Sequence, residues 1–231
     1  MVVDPTAVDE ERLAADLFAA HPDAARAAVI GVDEVGRGAL AGPVLVGAFA
    51  LIVHRRADGS ARAQVLPDGI RDSKQLTAKR RAAVSAALRA DEDLIWATGS
   101  AAAVEIDEVG IGAALGVAAR RALESVGRRL EETDAQLPIA GIILDGNLDF
   151  VTDGLGPVPV LVRVKADQDC VSAAAASVLA KVERDSLMEA LDRTAPAYAW
   201  ASNKGYGSAA HRAAIAEHGL HPEHRSTWKL A

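Results

Sequence analysis

The chain has 231 residues, half of them apolar and a quarter charged, with a formal net charge of −7. This composition is ordinary for a globular protein and argues against a disordered or fibrous chain. The single cysteine, Cys170, excludes a disulfide within the chain, and no stretch approaches the roughly 18 apolar residues of a membrane span. The first 21 residues also lack the basic segment and long apolar core of a signal peptide. We therefore expect a cytoplasmic protein without a membrane segment.

The charge is distributed unevenly along the chain. Residues 160–231 carry nine Lys and Arg against eight Asp and Glu, whereas residues 1–159 carry 16 against 24. A weakly basic C-terminal third can face a polyanion, but a balance this close to neutral decides nothing about the partner.

The first half of the chain predicts a helix, a strand pair, a loop and a second helix. In chain order these are a helix over 6–27 that Pro22 breaks, strands over 28–32 and 43–53, a polar loop over 54–72, and a helix over 77–90. The glycine-rich segment between the two strands predicts a wide hairpin. Thr77 is a suitable N-cap for the second helix.

The second half predicts strands and helices in alternation. These are a strand over 94–97, an amphipathic helix over 106–130, strands over 138–144 and 159–164, and helices over 169–191 and 208–218, followed by an irregular end. The order favours a mixed α/β sheet in one domain. No linker, repeat or low-complexity tract interrupts it.

Acidic residues follow several of the predicted strands. Asp33 and Glu34 come after the first strand, Asp145 after the strand over 138–144, and Asp167 after the strand over 159–164. If these strands are neighbours, the carboxylates meet at one edge, where their repulsion calls for a cation. Hard oxygen ligands suit Mg²⁺ or Mn²⁺, and two such ions can support phosphodiester hydrolysis. Zinc is disfavoured because no His or Cys stands at ligand spacing.

Ordinary structure offers an alternative for each of these acids. Asp is common in turns and at helix N-caps, and Asp145 precedes a glycine that suits a turn. Asp33 and Glu34 are adjacent, so in a regular strand they point to opposite faces. Both reach one site only if the strand ends or bends there.

Seven segments resemble bacterial ribonuclease HII in the same order. They are GVDEVGRGALAGPV (31–44), DSKQL (72–76), EID (105–107), LDG (144–146), KAD (165–167), SAAAASVLAKVERD (172–185) and NKGYG (203–207). The resemblance runs from about residue 28 to 228. It implies a ribonuclease H-like fold, with a mixed sheet flanked by helices and a C-terminal helical part. Residues 28–231 would form the type 2 ribonuclease H domain and residues 1–27 an N-terminal helical extension.

The resemblance also implies an activity. The family hydrolyses the RNA strand of RNA–DNA hybrids and cuts 5′ of single ribonucleotides in duplex DNA, leaving 5′-phosphate and 3′-hydroxyl ends. Its four metal-binding carboxylates correspond to Asp33, Glu34, Asp145 and Asp167, with two Mn²⁺ or Mg²⁺ ions as cofactor. Asp169 competes with Asp167, but the KAD segment favours Asp167.

Further residues are assigned to the substrate by the same resemblance. Gly36, Arg37 and Gly38 would sense the ribose 2′-OH, and Tyr206 would pack on the deoxyribose 3′ of the ribonucleotide. Ser73 and Lys74 would contact substrate, and Lys181 would meet backbone phosphate. Taken alone, a Gly-Arg-Gly segment is a turn and Tyr206 a loop residue packed on the core.

Several other residues are expected to have structural roles. His211, His224 and Arg225 are expected to support structure or position phosphate rather than to do chemistry. Cys170 is expected to be a small buried hydrophobe and Trp228 a packing residue. The loop over 54–72 is longer and more basic than a minimal family loop and is interpreted as an insertion.

Two other functional interpretations remain open. The chain could be a non-catalytic module that binds RNA–DNA hybrids, or another two-metal nuclease of the same fold. The relative ribonuclease HIII is disfavoured, because it differs at the Gly-Arg-Gly position and usually has an extra N-terminal domain. A monomer is the expected oligomeric state.

Overall fold

A computed structural model describes residues 4–153 and 155–229, which form a six-stranded mixed sheet with helices on both faces. The strands are β1 (Arg26–Val35), β2 (Val44–Arg55), β3 (Ala61–Ala63), β4 (Ile95–Ala101), β5 (Ile139–Asp145) and β6 (Val160–Arg163). The helices are α1 (Val8–Ala20), α2 (Ala78–Ala90), α3 (Ala103–Thr133), α4 (Ala166–Asp169), α5 (Val171–Asp192), α6 (Trp200–Asn203) and α7 (Ala209–His218), with a 3₁₀ turn at Pro196–Tyr198. The predicted mixed α/β fold is confirmed.

The predicted hairpin is the centre of the sheet. β1 and β2 pair antiparallel from Arg26↔His54 to Val35↔Leu45. β5 lies parallel to β1 on its other side, and β6 lies parallel to β5. β4 and β3 pair antiparallel with the outer edge of β2. The strand order therefore makes the acid-bearing strands β1 and β5 direct neighbours.

Helices cover the two faces of the sheet. α3 packs on one face, against alternate residues of β1 such as Ile30 and Val32. α5, α2 and α1 cover the other face. α5 approaches closely because the strands have glycine beneath it: a Cβ on Gly31 would lie 2.2 Å from Ala173 N, and one on Gly47 would lie 2.5 Å from Ala176 O. The small side chains of the alanine-rich helix α5 therefore pack closely on these two strand positions, where glycine has no side chain.

Two helices, α2 and α7, begin at a residue whose side chain accepts a hydrogen bond from an amide group of the first turn. Thr77 Oγ1 accepts a hydrogen bond from Arg80 N, and Ser208 Oγ accepts one from His211 N. α5 has no cap from its own N-cap residue, Cys170. Instead the Glu10 carboxylate of α1 accepts hydrogen bonds from the backbone N and hydroxyl of Ser172, at 2.9 and 2.7 Å.

The N-terminal helix shares the core of the sheet. Ala14 and Phe18 of α1 are buried in one cluster with Val29 and Ile143. The division of the chain at residue 27 stays a prediction. Within the described ranges, none of the helices combines the length and hydrophobicity that a membrane crossing requires.

Three local features differ from the predicted elements. The loop over 54–72 contains β3, which pairs with the end of β2. The strand after residue 159 ends at Arg163, and Asp167 lies on the short helix α4 rather than at the strand end. Lys165 adopts a left-handed backbone conformation (φ 63°), which turns the chain from β6 into α4. Residues 196–203, for which no element was predicted, form the 3₁₀ turn and α6.

Candidate active site

Four predicted acids come together at the edge of the sheet where β1 and β5 separate. The last pair between these strands is Val32↔Leu144, so Asp33 and Glu34 lie just beyond it, while Asp145 ends β5. β1 itself continues to pair with β2, so the strand does not end between the two acids. They share the site because the sheet opens on the β5 side.

The fourth acid arrives on α4. The backbone N of Asp167 donates a hydrogen bond to Asp145 Oδ1 at 3.4 Å. Asp167 is buried, and so is Asp33. The Asp169 side chain points elsewhere, because its carboxylate pairs with Arg163. The structure thus joins Asp167, rather than Asp169, to the other acids.

Burial and mutual repulsion act on the carboxyls together. Burial raises the pKa of Asp33 well above its usual range, and Asp145, Glu34 and Asp167 raise it further, against a hydrogen bond from Ser177. The pKa of Glu34 is raised mainly by burial and then by Asp145. Burial, followed by the charge of Asp145, raises the pKa of Asp167 to about 7. A bound cation would relieve the mutual repulsion of these carboxylates and so stabilise their ionised forms.

A fifth carboxylate, Asp72, lies at the same place. It is buried, its Oδ1 accepts a hydrogen bond from Lys74 N at 2.8 Å, and its Oδ2 accepts one from Gln168 Nε2 at 3.2 Å. Asp72 also raises the pKa of Asp167 by its charge. Sequence reasoning missed this residue because it stands in a loop, although it is the first residue of the DSKQL segment.

Lys74 is the cation nearest to this carboxylate group among the described residues that form ion pairs. Its Nζ lies 3.9 Å from Asp167 Oδ2. Burial lowers the pKa of Lys74, but the attraction of Asp33, Asp167, Asp72 and Asp145 more than offsets this effect, so the pKa is raised. Lys74 therefore stays protonated and neutralises only part of the negative charge.

Ser73 connects the loop to the carboxylates from behind. Its side chain is buried, and its hydroxyl is hydrogen-bonded to Ser177 Oγ at 3.0 Å. Ser177 in turn hydrogen-bonds to Asp33. The contact of Ser73 with substrate stays a prediction, whereas its side chain contacts Ser177, which acts on Asp33.

The donor set fits a hard divalent cation in its chemistry. It contains carboxylate oxygens whose repulsion a cation would relieve, beside a cavity of about 290 Å³ that Asp72, Lys74, Asp145 and Asp167 help to line. Within residues 4–153 and 155–229, no three His, Cys, Asp or Glu side chains hold a ready-made metal site as they stand. Binding a metal would therefore require side chains to turn toward a common point.

Two buried arginines hold the Gly36–Arg37–Gly38 segment. Arg225 Nη2 donates to the carbonyl oxygen of Gly36 at 2.7 Å, and its Nη1 donates to that of Arg37 at 2.8 Å. Arg184 lies directly under Gly36, where an added Cβ would be 2.0 Å from Arg184 Nε. Since these carbonyl groups are held inward, the segment is a fixed turn.

The two glycines of the segment differ in their surroundings. Gly36 has a left-handed backbone (φ 86°), whereas a Cβ on Gly38 would meet no atom within 4 Å. Arg37 is half-exposed, and its guanidinium lies 4.0 Å from Glu34 Oε1. Gly36 is thus required by packing, while Gly38 leaves free space beside Arg37.

Tyr206 lies next to this segment. It is 39% exposed, and the guanidinium of Arg184 sits 5.5 Å from its ring centre. Arg184 Nη1 also donates to the carbonyl oxygen of Lys204 at 2.8 Å. The Gly205 carbonyl oxygen accepts hydrogen bonds from the backbone of Leu40 and Ala41. The loop that carries Tyr206 is thus fastened to the segment that follows Gly38.

The remaining predicted residues take structural positions. Lys181 is half-buried and pairs with Asp185 on the next turn of α5, so its contact with phosphate stays a prediction. Cys170 is buried, as expected of a small hydrophobe, and Trp228 packs against two core clusters. His211, His224 and Arg225 are all buried, in agreement with the expected structural role.

A second groove adjoins the Gly36–Arg37–Gly38 segment at Arg37. It has a volume of about 1030 Å³ and runs between α3 and residues 148–153, with Arg37 on its wall. Its lining is mainly apolar and includes Val109 and Leu148. The carboxylates lie at the smaller cavity, so the chemistry is placed there.

Comparison with known proteins matches the sequence of this chain to one family. Residues 30–231 match a family model described as ribonuclease HII. A protein from Streptomyces avermitilis named ribonuclease HII is 43% identical over 204 residues, covering 87% of this chain and 76% of that protein.

Two solved structures share the fold. The ribonuclease H2 from Pyrococcus horikoshii OT3 has a TM-score of 0.58 and 24% identity, covering 88% of this chain and 95% of that chain. The structure of Bst-RNase HIII in complex with Mn²⁺ has a TM-score of 0.61 and 22% identity, covering 87% of this chain and 66% of that one. At these identities the two structures support the fold alone.

Proposed function

Because the chain belongs to the ribonuclease HII family and is therefore an endoribonuclease of ribonuclease H type 2, we propose that it cuts RNA within duplexes at the carboxylate cluster. It hydrolyses the RNA strand of RNA–DNA hybrids and cuts 5′ of single ribonucleotides in duplex DNA, leaving 5′-phosphate and 3′-hydroxyl ends. The observation that carries the proposal is the convergence of acids from β1, β5 and α4 beside one cavity.

Asp33, Glu34, Asp145 and Asp167 are the residues that would hold divalent ions, Mn²⁺ or Mg²⁺. When bound, such ions make a water molecule more acidic and neutralise charge on the leaving oxygen. The raised pKa values of Asp33, Glu34 and Asp167 support this assignment, because an unneutralised cluster of this kind is unfavourable. The Mn²⁺ in the Bst-RNase HIII structure is in keeping with the proposed cofactor.

Groups of the chain around the cluster have separate tasks. Ser177, itself held by Ser73, donates to Asp33 and fixes its orientation. Asp72 holds the backbone of Lys74, whose ammonium group lies near Asp167 and is available to a substrate phosphate. Fixed groups of this kind reduce the reorganisation that the reaction needs.

The Gly36–Arg37–Gly38 segment senses the ribose 2′-OH. Since Arg225 occupies the carbonyl groups of Gly36 and Arg37, the segment has its amide groups and the Arg37 side chain left for substrate. The free space at Gly38 lets a sugar approach the backbone closely. Only RNA offers the hydroxyl group, which both donates and accepts hydrogen bonds.

Tyr206 packs on the deoxyribose 3′ of the ribonucleotide. Its exposed ring, backed by Arg184, lies beside the sensing segment. A flat ring there favours a sugar without a 2′-OH, so the preferred substrate is the junction between one ribonucleotide and the DNA that follows. Lys181 contacts the backbone phosphate after its ion pair with Asp185 breaks.

Cleavage-site mapping on a DNA duplex with one embedded ribonucleotide tests the proposal. We expect one product, cut 5′ of the ribonucleotide, when Mn²⁺ or Mg²⁺ is present and none when EDTA is added. Binding without cleavage in both metals would favour the hybrid-binding module. Cleavage of an all-DNA duplex would favour another two-metal nuclease of the same fold.

A further inference from the structure

A buried pair of histidines connects the two elements assigned to substrate recognition. His211 on α7 and His224 in the C-terminal segment are 0% and 2% exposed. Their Nε2 atoms lie 3.0 Å apart, and Trp200 Nε1 lies 3.0 Å from the same atom of His211. The function proposed above uses none of these side chains.

The surrounding donors fix the protonation of both rings. An indole N–H can only donate, so His211 Nε2 is an acceptor and His211 Nδ1 carries the proton, which it donates to the Tyr206 carbonyl oxygen at 2.9 Å. His224 Nε2 must then be the donor to His211. Its Nδ1 accepts from His221 N at 2.9 Å, and the His221 carbonyl oxygen lies farther away, at 3.2 Å.

Each histidine is fastened to one recognition element. His211 holds the carbonyl group of Tyr206. On the other side, residues 223–225 run antiparallel to residues 40–42: Gly42 N donates to the Glu223 carbonyl oxygen, and Arg225 N donates to that of Leu40. Arg225, the residue after His224, holds the carbonyl groups of Gly36 and Arg37.

The contact between the two rings is therefore a side-chain joint between the Gly36–Arg37–Gly38 segment and the Tyr206 loop, in addition to the backbone hydrogen bonds from Leu40 and Ala41 to the Gly205 carbonyl oxygen. We propose that His211 and His224 are positioning residues that set the distance between Gly36–Arg37–Gly38 and Tyr206, and so set the preference for a ribonucleotide followed by DNA. This inference rests on the function proposed for those two elements. Neither histidine reaches substrate, because both rings are buried and their ring nitrogens are engaged within the protein.

Two amide substitutions separate the joint from its surroundings. In His211→Asn the amide nitrogen stands near the position of Nδ1 and keeps the Tyr206 contact, but nothing reaches His224 or the indole N–H of Trp200. In His224→Gln the amide nitrogen stands near the position of Nε2 and keeps the contact to His211, but the His221 amide loses its acceptor. Each variant leaves a buried N–H group without its acceptor, yet only His211→Asn removes the contact between positions 211 and 224.

The measured quantity is the ratio of kcat/KM for a duplex with one ribonucleotide to kcat/KM for a continuous RNA–DNA hybrid. The ratio does not depend on the fraction of folded enzyme, because the same molecules cut both substrates. We expect His211→Asn to lower it about tenfold or more, since a displacement of about 1 Å in positioning groups can cost on the order of 100-fold. His224→Gln should stay within about twofold of the wild type, as expected when the positioning contact is kept.

Equal ratios in the two variants, or a parallel loss on both substrates, would overturn the inference. Should His211→Asn yield no active protein, His224→Leu cuts the joint from the other side, and an unchanged ratio there would equally refute it. If neither variant folds, the pair is a folding element and the inference is wrong.

Tyr206→Ala distinguishes this inference from the function on which it rests. If Tyr206→Ala leaves the ratio unchanged, the role proposed for Tyr206 fails, whatever the histidines do. If Tyr206→Ala lowers the ratio but His211→Asn does not, only the joint is disproved. In the double variant we expect no further decrease beyond Tyr206→Ala, because both changes act through the same ring.

Discussion

Arg225 donates a 2.7 Å hydrogen bond to the carbonyl oxygen of Gly36 although 189 residues separate them in the sequence. The same guanidinium bonds the carbonyl oxygens of Arg37 and Gly42. Burial lowers its pKa to about 10, and the charge of Arg184 adds to this effect. The C-terminal segment thus places a buried cation, bonded to backbone carbonyls, under the proposed 2′-OH sensor.

Replacing Arg225 by Met should release this segment. The carbonyl groups of Gly36, Arg37 and Gly42 would lose their donor, and each buried group left unpaired costs roughly 1–3 kcal/mol. We expect a lower free energy of unfolding in urea and a lower kcat/KM on the single-ribonucleotide duplex. Arg193→Met, at an exposed position, is the matched control and should change neither. Wild-type stability in Arg225→Met would show that the contacts are dispensable.

Substitution of Gly36 by alanine should lower stability, whereas substitution of Gly38 by alanine should lower activity. Gly36→Ala places a methyl group on Arg184 in a left-handed backbone, so we expect destabilisation of more than about 1 kcal/mol. Gly38→Ala meets open space and should leave the thermal unfolding midpoint unchanged. Its methyl group would instead obstruct the sugar. We expect kcat/KM to fall about tenfold, because even a small displacement of the substrate from its reactive position slows the reaction. Full activity of Gly38→Ala would mean that the substrate does not approach this backbone.

Asp33→Asn should separate catalysis from stability. Its loss of a metal ligand should lower kcat by at least roughly 10³-fold, the equivalent of several kcal/mol. The fold should be as stable or more stable at pH 8, because a pKa raised in the folded chain means that Asp33 costs stability once the pH exceeds its unfolded value of 3.8. Asp23→Asn, exposed and placed before the opposite end of β1, is the control. Retained cleavage on the single-ribonucleotide duplex would place the reaction elsewhere.

The sequence predicted the carboxylate cluster well because it follows from strand order. Asp33, Glu34 and Asp145 come after apolar runs, and neighbouring strands bring such positions to one edge. Asp167 was also identified, but its place on α4 depends on the left-handed backbone of Lys165. Nothing in the sequence distinguishes this lysine as a residue with that conformation. Asp72 was missed because no periodicity marks an acid in a loop.

The supporting polar residues were harder to predict for a different reason. Whether His224 or Arg225 is buried depends on contacts with residues about 180 positions away, such as Gly42. Hydropathy places charged residues on the surface, so the buried partners of the recognition elements emerge only from the structure. The strand β3 was missed because three residues carry too short a pattern.

His224 should make stability depend on pH in a defined window. Burial lowers its pKa from 6.5 to about 4, and the neighbouring His211 and His221 also disfavour its charge. The unfolded chain therefore binds a proton that the folded chain excludes, so stability is complete above pH 6.5 and is lost as the pH falls toward 4. The slope from this group reaches about 1.4 kcal/mol per pH unit.

Urea unfolding of the wild type and His224→Gln between pH 7.5 and 4 measures this effect. The wild type should lose stability relative to the variant, because Gln does not titrate. Parallel curves through the window would show that His224 is protonated in the folded protein. Exposed His218 supplies the control, since His218→Gln should follow the wild type.

Glu10 should stabilise α5 as a hydrogen-bond acceptor rather than through its negative charge. Its Oε1 caps Ser172, while its Oε2 is buried without a hydrogen-bond partner, and burial raises the pKa of the carboxyl. Glu10→Ala removes the cap and should cost about 1–2 kcal/mol. Glu10→Gln keeps the acceptor and removes the ionisable group, so at pH 8 it should be at least as stable as the wild type. Asp16→Ala, exposed on the same helix, is the control in urea unfolding. Equal losses in Glu10→Ala and Glu10→Gln would mean instead that the negative charge at the start of α5 supplies the stabilisation.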